Sequence, residues 1–143
     1  MAVEYTANAA QVVPAAGNVA FTETPIPCNR GQICHRAGSG LVTLKGITNG
    51  QCRARYKVEF GANIAVPTGG TAGPISISLA IDGEPLNSAT AVVTPAAVEN
   101  LFNVYVFAFI DAPRGCCVTV TAKNTSTQSI VVQNANLAVE RVA

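Results

Sequence analysis

Charge is scarce in this sequence. Only 12% of its 143 residues are Asp, Glu, Lys or Arg, about half of the roughly 25% found in ordinary soluble domains. Nine basic residues nearly cancel eight acidic ones, for a formal net charge of +1. No basic run or stripe exists to neutralise a row of phosphates, so nucleic-acid binding is disfavoured. The densest cationic group, Arg53, Arg55 and Lys57, alternates along one segment and reads as the solvated face of a strand. Tryptophan is absent, and the loops hold Gly, Pro, Thr and Asn rather than the exposed aromatics of a glycan- or receptor-binding tip. The longest apolar run, Val104–Ile110, falls well short of the about 20 residues that cross a bilayer. Met1–Ala10 has neither the basic start nor the apolar stretch of a secretory signal. These absences predict a soluble, cytosolically made product with no membrane partner.

Histidine occurs once, at His35, and no G-x-S-x-G elbow is present to supply a nucleophile. Cys34 and His35 are adjacent, and neighbours on an extended chain point apart, so a thiol–imidazole dyad is not expected. Asp82 and Asp111 stand at strand ends beside turn residues, where Asp serves the backbone. No Asp/Asn cluster of the kind calcium needs is present. The chain is read as a non-enzyme with no catalytic residue, cofactor or metal site.

Apolar residues supply 49% of the chain, enough for one folded domain across residues 1–143 and against wholesale disorder. Strand signals dominate. Ile75–Ile81 alternates without a fault and meets Asp82-Gly83, a strong hairpin turn. Ala54, Tyr56, Val58, Phe60 and Ala62 face one way, against Arg53, Arg55, Lys57, Glu59 and Asn63. Val118, Val120 and Ala122 alternate with Thr119, Thr121 and Lys123, and a long last strand runs from Ile130 to Val142. Turn clusters separate these runs, and no window of helical length has a 3.6-residue period; Pro95–Asn100 has room for one helical turn at most. The pattern predicts an all-β, two-sheet antiparallel sandwich or jelly roll.

Asn100–Asp111 departs from it. One face carries Phe102, Val104, Val106, Ala108 and Ile110, and the other Leu101, Tyr105, Phe107 and Phe109. A half-exposed antiparallel strand is polar on one side; this one is apolar on both. A two-layer sandwich covers only one face, so the second needs another partner, most simply a second copy of the chain. Each aromatic side chain left in water forgoes roughly 1.5–3 kcal/mol.

Four stretches together resemble the C1q/TNF-like jelly rolls. The opening, Val3–Ala7 through Gly17–Phe21, looks like the first strand and its return. Ile33-Cys34-His35-Arg36-Ala37-Gly38-Ser39-Gly40 before Leu41–Leu44 matches an "I-x-H-x-x-G-S-G" approach. Tyr56–Gly61 resembles the "Y-x-V-x-F" strand, and Leu79–Leu86 the "L-x-I-N-G-x-P-V" hairpin, with Asp82 and Leu86 as departures. The resemblance implies a jelly roll of about ten strands assembled as a homotrimer. It places Asn100–Asp111 near the threefold axis, with Leu101, Tyr105, Phe107 and Phe109 at the trimer interface.

The likeness is strongest to the bacterial and phage branch, which comprises the C-terminal domains of collagen-like spore-surface proteins and phage head-fibre or decoration knobs. No Gly-X-Y repeat is present, and the knob begins almost at Met1. The expectation is therefore a bacteriophage capsid decoration or head-fibre protein on the virion surface, whose partners are itself and the major capsid protein or another virion component. Residues 1–10 are either a docking segment or the first strand. Alternatives are a receptor- or glycan-binding knob and an exosporium structural protein.

Five cysteines, Cys28, Cys34, Cys52, Cys116 and Cys117, are atypical for that family. The spacing of Cys28, Cys34, His35 and Cys52 matches no common zinc pattern. Disulfides and buried free thiols both remain open. Cys52 and Cys116 fall on the apolar phase of their strands, which favours burial; Cys116 and Cys117 point to opposite faces of a regular strand.

Overall fold

The described part of the chain, in a computed structural model, comprises residues 2–27, 31–48, 50–115 and 117–143. Eleven strands form within it, in chain order β1 (Ala2–Ala7), β2 (Gln11–Val13), β3 (Glu23–Ile26), β4 (Ile33–His35), β5 (Val42–Lys45), β6 (Arg53–Ala65), β7 (Ile75–Ile81), β8 (Glu84–Val93), β9 (Phe102–Pro113), β10 (Cys117–Asn124) and β11 (Ile130–Arg141). No helix occurs among the described residues, and Pro95–Asn100 is a loop with a turn.

Two sheets stack face to face. The first has the order β3-β1-β11-β6-β9, with β2 also on β11; the second is β4-β5-β10-β7-β8. Every pairing is antiparallel. From β5 onward the chain crosses between sheets at each connection except the β7–β8 hairpin, the weave of a jelly roll. Asp82 and Gly83 both have positive φ, 50° and 87°, as a two-residue hairpin matched to the strand twist requires.

Period-2 alternation places the core. Ala54, Tyr56, Val58, Phe60 and Ala62 of β6 are all essentially solvent-free and meet Ile77, Leu79, Val120 and Leu44 of the second sheet in one hydrophobic cluster. Phe21 and Phe60 pack edge-to-face at 6.3 Å, a favoured aromatic geometry. The buried Tyr56 hydroxyl donates to the Lys45 carbonyl at 2.6 Å, which ties the start of β6 to the end of β5.

Residues 2–7 are built into the first sheet. β1 lies between β3 and β11, with Val3, Tyr5 and Ala7 in the core. Of the two readings of residues 1–10, docking segment or first strand, Ala2–Ala7 form the first strand. Asn124 departs in one respect. Its Asn-Thr-Ser context fits a turn, and the chain does turn there after β10, but the side chain is fully buried and donates to the carbonyls of Val13, Pro14 and Gln128.

Candidate functional site

β9 pairs with β6 over its whole length, from Ile64↔Phe102 to Arg53↔Pro113, and is the last strand of its sheet. Its even-numbered residues, Val104, Val106, Ile110 and Ala112, enter the core. The odd-numbered ones therefore point away from it. Tyr105, Phe107 and Phe109 are 54%, 48% and 59% exposed. Leu101 is half exposed just ahead of the strand, and Phe102, expected on the core face, is 38% exposed because it sits at the strand's first position, opposite Ile64. The strand itself begins and ends two residues later than Asn100–Asp111.

The three aromatic rings form a ladder. Tyr105 and Phe107 lie 6.3 Å apart and tilted, while Phe107 and Phe109 are 6.2 Å apart and edge-to-face. β6 supplies a polar flank in register. Tyr105 Oη donates to Glu59 Oε2 at 2.9 Å, Lys57 Nζ pairs with Glu59 at 3.3 Å, and the same ammonium lies 5.7 Å from the Phe107 ring centre, within cation–π range. Partial desolvation, reinforced by the Glu59 carboxylate, raises the Tyr105 phenol above its ordinary pKa.

At the far end of the strand Asp111 takes the place of the next aromatic. Arg55 grips it with Nε and Nη2 at 2.7 and 3.0 Å, and Arg53 Nη1 approaches at 3.3 Å. The bidentate Arg55 hydrogen bonds hold the Asp111 carboxyl below the usual carboxylate range, and the same bonds raise Arg55. Asp111 thus does more than serve a turn, as its strand-end position had implied. Its partners lie 56 and 58 positions away in sequence, so only the β6–β9 register reveals them.

The cysteine readings divide. Cys28 and Cys116 lie outside the described residues. Cys52, expected to be buried, is exposed, because it occupies a bend before β6 and the alternation begins only at Arg53. Cys34 is half-buried, with Sγ 3.7 Å from the Gly31 carbonyl; Cys117 is exposed at the first position of β10. His35 turns away from Cys34, stacks on Tyr5 at 4.4 Å, and has Nε2 2.8 Å from the Ser39 carbonyl. That ring bridges the sheets and is committed to packing. Among the described residues no three His, Cys, Asp or Glu side chains gather into a metal-ligating group.

No family model matches the chain, and no curated protein matches its sequence. Solved structures do match in shape. The TNF Eiger from S. frugiperda superposes with a TM-score of 0.71 at 12% identity, over 100% of this chain and 92% of that one. Murine APRIL gives 0.68 at 9% identity over 99% and 98%, and the globular domain of zebrafish complement 1qA protein 0.60 at 12% over 99% and 97%. The fold is the C1q/TNF-like jelly roll. Within that jelly roll the aromatic ladder stands on the exposed face of a terminal strand, next to β6 of the same sheet.

Proposed function

We propose that this chain is a homotrimeric structural protein of a particle surface, a bacteriophage capsid decoration or head-fibre knob, whose assembly is driven by the outer face of β9. The observation that carries the self-association is the ladder Tyr105–Phe107–Phe109 with Leu101 beside it, all about half exposed in one protomer. A strand of this length with an uncovered edge and an apolar face is an association hazard unless something covers it. A closed ring of copies covers it and leaves no new edge. The low charge supports the particle setting, since a surface poor in Lys and Glu suits a protein held among other subunits.

Light scattering on the purified protein, with and without reductant, tests the assembly. A mass of three chains in both conditions is the expected result; a stable monomer overturns it. Mass spectrometry of particles purified from the source culture tests the setting. Recovery of the chain in virions, with capsid and terminase genes beside its own, supports the decoration role; recovery in spores transfers the protein to the exosporium.

A further inference from the structure

We draw no further inference here: the strongest candidate, the open cavity of about 440 Å³ beside the β4–β5 hairpin lined by Cys34, His35, Arg36, Ser39, Leu41 and Thr43, carries nothing, because its one permanent charge, Arg36, is exposed and nothing in the structure shows what would occupy it.

Discussion

Tyr105 and Glu59 face each other across adjacent strands, and the phenol donates to the carboxylate at 2.9 Å. The bond fixes the rim of an aromatic surface that is otherwise apolar, and Lys57 completes it by contacting both Glu59 and the Phe107 ring. Tyr105→Phe removes the hydroxyl and keeps the ring. The monomer is expected to unfold as before, and self-association to weaken by no more than about tenfold, read by sedimentation equilibrium.

Phe107 is the middle rung and contacts both neighbouring rings. Phe107→Asp puts a charge in the middle of the face proposed to associate. The expected product is a folded monomer with unchanged strand signal in circular dichroism, because the side chain lies outside the core. Losing the burial of roughly 1.5–3 kcal/mol for each chain of the trimer corresponds to more than a thousandfold in assembly. A variant that remains trimeric would move the interface to another face.

Asp111 gives a pH dependence of known sign. Its carboxyl titrates lower in the folded chain than its ordinary value, chiefly through the Arg55 hydrogen bonds. The pair's contribution is therefore complete above the unfolded value of about 3.9 and disappears as pH falls through the lower folded value. With 31% of the side chain exposed, that contribution is expected to stay below about 1 kcal/mol. Urea unfolding at several pH values should show an acid-side slope that Asp111→Asn reduces.

Asn124 holds two segments together from a site without solvent. It donates to Val13, Pro14 and Gln128 and accepts from the Ser126 amide at 2.8 Å. Asn124→Ala strips buried carbonyls of their partner and is expected to cost about 2–4 kcal/mol in denaturant unfolding. Despite its Asn-Thr-Ser context, the folded chain should accept no glycan there when exposed to a glycosylating extract.

Cys52 and Cys34 differ in access. Cys52 is exposed and should react with a thiol reagent in the native state, whereas Cys34 is half-buried and should react more slowly. Cys52→Ser is expected to change stability by less than about 0.5 kcal/mol. Peptide mapping after a short labelling pulse distinguishes the two.

What could be read in advance follows from range along the chain. The alternation of β6, the Asp82-Gly83 turn and the doubly apolar β9 are local patterns that reappear in the structure with little change, whereas the alternation of β7 holds only as far as Ile77, since Ser78 and Ala80 are buried along with Leu79. β3 could not be read so, because Glu23–Ile26 is exposed throughout and shows no alternation. The grip of Arg53 and Arg55 on Asp111, and the reach of Glu59 to Tyr105, depend on strand register across some fifty residues. The position of Cys52 turned on where β6 starts, and a boundary shift of one residue was enough to turn burial into exposure.

The place of β11 sets a schedule for synthesis. It lies between β1 and β6 at the middle of its sheet, so β1 has no long partner until residues 130–141 leave the ribosome. By then β9, with its uncovered aromatic face, has already emerged. The nascent chain thus displays its stickiest surface before the strand that completes the sandwich exists. Yield in cells should therefore be limited by premature contact between unfinished chains, and slower translation after β9 should lower it.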